Sequence, residues 1–542
     1  MTKYPRVMLK QKHLPILFVA LSSFFYGIFM AMRFPCHFRL MEGDSLFLFT
    51  REFFVSKLSD APCLSNWLSD FLLQFYRWPL VGAFIEAFLV AGALLCLLRL
   101  LAKRGVKPLF LLPLGIVPLV LVFHHCDLRV LLQVFFFAVF LTVSSYGSRR
   151  VRVILTVLML PLGILFMSTP LLLLLFFLLA AWEFGKGLSL FASARRACLP
   201  LVLAVIVPFA QRIYSEQVSF IPFDKRCSWG GNPFRTWNTY DEQCYSYAEM
   251  ADRQEWEPLL ALLKKRGKDD ESVRRLYALM AERALGTLPE NLFAYSISDP
   301  EKFLIRHSET PFARLFDRQF YASLGLYDEA MHLAMEYSIS QTDGSCFSAL
   351  RNMAQYSLRE SDFPVAEKYL SILEHSLFHH RFVEEQRAEM ARLKQEGVSP
   401  TAPVRADNFV GGYPFCSEMI RQVQREPQNQ GFLDYLLCGL LLQKKLSEFS
   451  VVMHAFPLYK DRPLPKAYAE AAAVLESEGH TMRDVFQYPA ELDTQYREFR
   501  AEAGKDGARP VRYLHTFWDY LLFVDTSSQA SQQGPTQAKG HF

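Results

Sequence analysis

The sequence lacks the short motifs that identify several large classes of enzyme. It contains no Walker A loop, no G-x-G-x-x-G fingerprint and no H-E-x-x-H motif. These absences argue against an ATPase, a dinucleotide-dependent enzyme and a zinc peptidase. None of the ten cysteines has the spacing of a zinc site. We therefore predict no bound cofactor, and a divalent metal only under the glycosyltransferase interpretation given below.

Long apolar runs are absent from the second part of the chain, beyond about residue 215. Before that point, apolar runs alternate with short basic loops. This contrast predicts an all-α protein with a multipass transmembrane domain over residues 1–214 and a soluble domain after it. The net charge is only +4, and Lys and Arg cluster between the apolar runs. That distribution indicates a partner bilayer and no nucleic acid.

The apolar runs predict about seven transmembrane helices, because one span needs roughly 20 apolar residues. Five runs of suitable length lie at 13–33, 79–101, 108–125, 128–146 and 197–214. The run 153–184 is too long for one span, and Ser168-Thr169-Pro170 interrupts it. Because proline suits a turn between helices, we predict two short spans there.

Basic residues mark every second loop of this bundle. They precede span one and follow spans two, four and six, at Lys3, Arg6, Lys10, Lys12, Arg99, Lys103, Arg104, Lys107, Arg149, Arg150, Arg152, Lys186, Arg195 and Arg196. By the positive-inside rule, the N-terminus is cytoplasmic and everything after residue 215 lies outside the cytoplasm. We therefore predict an inner (cytoplasmic) membrane protein with a periplasmic C-terminal domain.

The part after the spans divides into an aromatic-rich connector (215–244), a helical domain (245–525) and a disordered tail (526–542). In the helical domain an aromatic-x-x-Ala pattern occurs at Tyr327 to Ala330 and again at Phe363 to Ala366. The two alanines lie 36 positions apart, close to the tetratricopeptide period of about 34. We predict tetratricopeptide-like repeats, with an irregular α-helical domain as the alternative.

Two stretches carry a resemblance to a protein group. They are Leu73-Gln74-Phe75-Tyr76 with Pro79-Leu80-Val81-Gly82-Ala83, and Ala366-Glu367-Lys368-Tyr369-Leu370. In these stretches the chain resembles uncharacterised bacterial multipass membrane proteins with a tetratricopeptide-like C-terminal domain. The resemblance covers most of the chain and implies the same two-part architecture. It implies no particular chemistry.

The cysteines allow two disulfides outside the cytoplasm. Cys36 and Cys63 share the first external loop, and Cys227 and Cys244 share the segment after the last span. Each pair could be oxidised in that compartment. Buried thiols explain each pair equally well.

The sequence offers two candidate catalytic arrangements, of which the first is weak. Gly43-Asp44-Ser45-Leu46 is the nucleophile block of one class of lipases and esterases. Those enzymes also need a later Asp-x-x-His to take the serine proton, and the chain has none. We therefore set the hydrolase interpretation aside.

The second arrangement consists of acids that the predicted topology places on one side of the bilayer. Glu42 and Asp44 lie in the first external loop, and Asp127 lies in the second. This outline is similar to multipass glycosyltransferases that use polyprenyl-phosphate-linked sugars, where such acids serve as the base or hold a divalent metal. The chain departs from that class in having no Asp-x-Asp and very short later loops. The alternative is that the acids are solvated interface residues and helix caps.

These observations favour a membrane-anchored interaction or scaffold protein of the cell envelope over an enzyme. The helical repeats would bind an envelope protein partner. The multipass glycosyltransferase is the alternative function.

The predicted orientation can be tested with a reporter fused after residue 300. If residues 215–542 lie outside the cytoplasm, a reporter that is active only after translocation should be active there. A reporter that works only in the cytoplasm should be silent at the same position. The opposite pair of results would contradict the seven-span topology.

Overall fold

A computed structural model of the chain describes most of its residues, namely 4–58, 62–122, 125–146, 148–184, 190–218, 234–235, 237–265, 272–295, 297, 311–341, 344–397, 415–503 and 509–525. The chain forms two compact units. The first comprises Met1–Tyr245, Ser338–Gln355 and Phe363–Val398, and the second comprises Ser246–Tyr337, Tyr356–Asp362 and Ser399–Phe542. The predicted tail, 526–542, and the predicted break at 399–412 lie outside the described residues.

The first unit contains the apolar helices. They are α1 (Tyr4–Arg33), α5 (Pro79–Lys103), α6 (Val117–Leu121) after a 3-10 segment at Pro108–Ile116, α7 (Leu128–Ser145), α8 (Arg149–Phe166), α9 (Thr169–Phe184) and α10 (Leu190–Val218). Between α1 and α5 lie α2 (Pro35–Gly43), α3 (Arg51–Leu58), α4 (Cys63–Leu73) and a 3-10 turn at Gln74–Arg77. Two short strands, β1 (His125–Cys126) and β2 (Phe234–Arg235), pair antiparallel.

Among the described residues, four helical segments are long and apolar enough to cross a membrane: His13–Arg33, Pro79–Lys103, Leu128–Ser145 and Phe191–Ala210. Pro108–Leu121 and Thr169–Trp182 are apolar but shorter. Because α8 ends at Phe166 and α9 begins at Thr169, the predicted interruption of the run 153–184 is confirmed. The count of seven spans stays a prediction.

A close approach of helices explains the glycine in one stretch that carries the resemblance. Gly82, in the first turn of α5, lies against Tyr76 and Phe38. A Cβ placed there would come within 2.8 Å of the Tyr76 ring and 2.9 Å of the Phe38 ring. Both rings are buried. A side chain at this position would therefore force apart the start of α5 and the loop before it.

The remaining helices follow in chain order. They are α11 (Thr239–Asp252), α12 (Trp256–Lys265), α13 (Ser272–Ala284), α14 (Leu288–Asn291), α15 (Pro311–Leu324), α16 (Tyr327–Ser340), α17 (Phe347–Arg359), α18 (Phe363–Leu373), α19 (His380–Gln395), α20 (Phe415–Arg425), α21 (Gln430–Leu442), α22 (Leu446–Ala455), α23 (Lys466–Ser477), α24 (Glu491–Ala503) and α25 (Phe517–Phe523). In the second unit the apolar helix α21 is the centre of the core, with every residue from Phe432 to Leu442 buried.

The helix pairs of this region are joined by one recurring turn. After α15, Gly325 takes a positive φ of 82°, and the N–H of Leu326 bonds to the carbonyl of Tyr321. Ser361 has the same role after α17, with a φ of 60° and a bond from Asp362 to Ser357. These are Schellman caps, which satisfy the last carbonyls of a helix and turn the chain sharply. The segment Leu324-Gly325-Leu326-Tyr327, whose sequence predicts a tight turn into a second helix, has that structure.

The residues of the repeated pattern occupy buried positions. Tyr327 and Phe363 begin the second helix of their pairs, and Ala330 and Ala366 are both fully buried. Asn429, which we expected to start a further helix, caps α21 by accepting a hydrogen bond from the N–H of Phe432. The sequence pattern therefore marked real helix starts.

The compact units divide the chain differently from the predicted domains. We expected residues 245–525 to form one domain, yet 338–355 and 363–398 belong to the first unit. The reason is visible in the backbone. The N–H of Phe347 bonds to the carbonyl of Ser45, and the N–H of Phe49 bonds to the carbonyl of His375. The loop after α1 is thus built together with α17, α18 and α19.

The turn geometry predicts opposite effects of two substitutions. Gly325→Ala should destabilise the protein by about 1 kcal/mol, because an L residue is strained at positive φ. No atom lies within 4 Å of the added Cβ, so steric overlap contributes nothing. Ser361→Gly removes that strain in the equivalent turn and should stabilise by up to about 1 kcal/mol. Thermal unfolding of the full chain in detergent measures both, and shifts of the same sign would contradict this account.

Candidate functional site

Glu42, the first predicted catalytic acid, lies against a histidine. It lies at the end of α2, and its carboxylate is 2.8 Å from Nε2 of His379, just before α19. Both side chains are largely buried, and the imidazole stacks on the ring of Phe347 at 3.4 Å between centroids. The pair joins the first loop to the α17 to α19 segment. Its carboxylate is therefore already engaged in a structural contact.

Asp44 follows α2 and continues its hydrogen-bonding pattern, since its N–H bonds to the carbonyl of Leu40 at 2.8 Å. Its carboxylate is close enough to the Cys346 thiol for the two groups to interact electrostatically. Burial raises the pKa of Cys346 to about 11, with a contribution from the charge of Asp44. The side chain of Asp44 is partly exposed. Asp127 is also partly exposed, whereas Glu42 is buried.

Asp127, the third predicted acid, caps α7. Its carboxylate accepts a hydrogen bond from the N–H of Arg129 at 2.8 Å. Burial, and then the charges of Asp127 and Glu86, raise the pKa of the Cys126 thiol to about 12. Asp127 also contributes to the raised pKa of Tyr76, after burial and the larger effect of Glu86. Asp127 therefore lies near the base of the first loop, as the predicted topology requires.

Each of the three acids has a described neighbour. Glu42 lies against His379, the charge of Asp44 raises the pKa of Cys346, and Asp127 caps α7. The single catalytic group that we expected from Glu42, Asp44 and Asp127 stays a prediction. Among the described residues, no group of three or more His, Cys, Asp or Glu side chains could hold a metal ion.

Asp70 is fully buried in α4 and was not predicted as a site residue. Its two carboxylate oxygens contact Lys57 of α3 at 2.6 Å and Arg129 of α7 at 2.8 Å. Arg129, which follows Asp127 by two residues, thus directs its guanidinium to Asp70. The role of Asp70 cannot be recognised in the sequence, because its partners lie on two other helices.

Glu86 was also missed, although a signal for it exists. It is the only charged residue between Pro79 and Cys96 of the apolar helix α5. The side chain is fully buried and accepts hydrogen bonds from Tyr26 at 2.8 Å and from Tyr76 at 2.7 Å. A lone carboxylate inside a membrane-spanning segment is costly and therefore marks a specific contact. Here it joins α1, α5 and the turn before α5.

The connector is attached to the first loop by another acid. Glu242 accepts hydrogen bonds from the N–H groups of Cys36 and His37 at 2.6 and 3.1 Å. It also accepts one from the indole of Trp237 at 3.0 Å. Carboxylates are favoured at helix N-termini, where unpaired N–H groups point outward. Trp237 belongs to the aromatic-rich connector. It stacks on Tyr245 with 5.1 Å between the ring centroids.

Cys36 and Cys63 are both buried, and the disulfide between them stays a prediction. They belong to different elements: Cys36 lies in the first turn of α2, and Cys63 begins α4. Cys244 is also a buried thiol. Its predicted partner, Cys227, lies outside the described residues, so that pairing stays a prediction.

The second unit contains buried polar groups that stabilise its helices. Burial raises the pKa of Glu470 to about 7, although the N–H of Phe517 donates to its carboxylate at 2.6 Å. Burial also raises the pKa of Asp434, which accepts hydrogen bonds from Tyr459 and Tyr468. Each acid has hydrogen-bond donors from neighbouring elements, as structural groups require.

Together these features define an all-helical protein with several apolar helices long enough to cross a membrane. The chain belongs to the family described as a family of unknown function (DUF6057), whose profile matches residues 10–524. No curated protein and no solved structure matches the chain.

The buried ion pairs of Asp70 predict a large loss of stability in one variant. Asp70→Asn leaves Lys57 and Arg129 without their carboxylate, which should destabilise the protein by about 3–5 kcal/mol. Glu52→Gln changes an exposed acid of the same loop and should leave the thermal midpoint unchanged. Unfolding of both full-length variants in detergent tests this, and equal midpoints would show that the pairs contribute little.

Proposed function

We propose that the protein is a membrane-anchored helical-repeat protein that binds or organises a protein partner of the cell envelope. The observation that carries this proposal is the close contact between Glu42 and His379. It engages the first predicted catalytic acid in a structural contact. The same contact fastens the α17 to α19 segment to the loop after α1. A fixed platform of this kind is what an anchored interaction protein requires.

Contacts within the first unit support an arrangement with seven crossings. Glu242, after the last apolar helix, contacts the loop after α1, and β1, before α7, pairs with β2. Segments that contact each other at the membrane surface lie on the same side of the bilayer. The chain between them must then cross the bilayer an even number of times. After α5 has crossed, the short segment 108–121 must therefore cross back. The same argument applies to the four helices from α7 to α10.

The orientation completes the proposal for localisation. Loops that follow α5, α7 and α9 are basic, and the positive-inside rule assigns them to the cytoplasm. The loop after α1, the connector and the α11 to α25 region then lie outside it. We propose the inner membrane of a bacterium as the location, with the helical region in the periplasm.

The helical region is proposed to be tetratricopeptide-like. Support comes from the spacing of Gly325 and Ser361, which are 36 positions apart and occupy equivalent turns. Ala330 and Ala366 are both buried, as the small residues of such repeats are. Stacked helix pairs present an extended surface to which a protein partner can bind.

The glycosyltransferase remains the second candidate, supported by the partly exposed Asp44 and by the position of Asp127 near Tyr76. In that case Asp44, which is partly exposed, would act as the base. An enzyme of this class consumes a polyprenyl-phosphate-linked sugar. Cells without the activity should therefore accumulate that donor.

Proximity labelling in the native cell separates the two functions. A labelling enzyme fused to the C-terminus of the full chain should mark a small, reproducible set of envelope proteins. The same enzyme on an unrelated multipass protein of equal orientation serves as the control. For a scaffold, Asp44→Asn should mark the same set as the native chain, because the substitution lies in the loop after α1 and leaves the helical repeats unchanged.

The lipid fraction of the same cells gives the opposing readout. If deletion of the gene and Asp44→Asn both cause a polyprenyl-phosphate-linked sugar to accumulate, the protein is the enzyme and the scaffold proposal is wrong. A Glu52→Gln strain controls for the loss of a carboxylate elsewhere in the loop. An absence of both enriched proteins and accumulated donor would also contradict the scaffold.

A further inference from the structure

One end of the first unit carries charge of a single sign. The segments 99–107, 146–152 and 185–196 follow or precede the ends of α5, α7, α8, α9 and α10. They contain ten basic residues and no acid. The other end is balanced, since 34–78 and 122–129 together contain five basic residues and six acids. The nearest acid to the basic end along the sequence is Glu183.

Two of these cations are held in place by aromatic rings. Lys103 donates to the carbonyl of Ser145 at 2.6 Å, and its ammonium lies 3.8 Å from the centre of the Tyr146 ring. Arg104 donates to the carbonyl of Trp182, and its guanidinium lies 3.8 Å from the centre of that ring. Among the described side chains, no carboxylate pairs with either cation. Each therefore keeps N–H donors for an external anion.

Exposed apolar side chains belong to, or directly follow, the same basic segments. Leu109 and Phe110, two and three residues after Lys107, are each 71% exposed. Phe191, at the start of α10, is 83% exposed. Trp and Tyr are favoured at the interface between lipid headgroups and acyl chains, while Lys and Arg reach the headgroups. Basic segments that also carry exposed apolar side chains have the composition that contact with an anionic lipid requires.

We propose that Lys103 and Arg104, with the rings of Tyr146 and Trp182, form a binding site for the headgroup phosphate of anionic phospholipids. The proposal requires only that α5, α7 and α9 cross a bilayer, and it is independent of the scaffold function. The positive-inside rule requires only that these loops carry positive charge. It does not require that Lys103 and Arg104 lie against aromatic rings and keep N–H donors for an anion. Arg and Lys bind phosphate through charge-assisted hydrogen bonds.

The site can be tested on the full-length protein in neutral detergent. Thermal unfolding is followed while phosphatidylglycerol or phosphatidylcholine is added. The anionic lipid should raise the midpoint and the zwitterionic lipid should not. In Lys103→Gln/Arg104→Gln the apparent affinity for phosphatidylglycerol should fall about tenfold or more, because each cation near anionic lipid contributes a severalfold factor.

Three controls make the result specific. Lys368→Gln/Lys394→Gln removes two exposed cations from α18 and α19 and should bind the lipid as the native chain does. The reciprocal exchange Lys103→Arg/Arg104→Lys keeps both charges and should retain most of the affinity. The single variants Lys103→Gln and Arg104→Gln provide the measurement if the double variant does not fold. Inorganic phosphate at the same concentration should not stabilise the native chain.

Three outcomes overturn the proposal. The first is equal stabilisation by phosphatidylglycerol and phosphatidylcholine. The second is unchanged lipid affinity in folded variants at Lys103 and Arg104. The third is a stabilisation by inorganic phosphate that matches that of the lipid, which would identify a site for free phosphate.

Discussion

The pairing of buried Asp70 with Lys57 and Arg129 is the interaction on which the first unit most depends. Near a bilayer, water cannot solvate every charge, so an ionised group must find its partner within the protein. Asp70 finds two, on α3 and on α7. It thereby fixes the loop after α1 against the apolar helices. The contact of Glu42 with His379 and the hydrogen bonds of Glu242 attach segments that are distant in sequence to this loop.

Acids of the first unit thus act mainly as connectors between elements. Glu86 joins α1 to the turn before α5, Glu242 joins the connector to α2, and Glu42 joins α2 to the segment before α19. Glu86 accepts from two donors, Glu242 accepts from three, and Glu42 lies against one imidazole. This use of acids explains why carboxylates on one side of the bilayer do not by themselves indicate an active site.

The sequence predicted those parts of the fold that depend on local pattern. Apolar runs located α1, α5 and α7, and the interruption before Pro170 separated α8 from α9. Glu86 was predictable in principle, because a lone charge in an apolar run is visible without a structure. The pairing of Glu42 with His379 was not, since nothing local relates residues more than three hundred positions apart. For the same reason the assignment of α18 and α19 to the first unit could not be foreseen.

The discontinuous first unit has a consequence for how the chain is made. Its packing includes Phe363–Val398, which the ribosome synthesises long after the last apolar helix. Until then α2 to α4 lack the partners of Ser45, Phe49 and Glu42. Until that segment is synthesised, backbone groups of the loop after α1 and the Glu42 carboxylate therefore lack their native contacts. During biosynthesis this interval is the one in which the nascent chain most needs protection from aggregation and proteolysis.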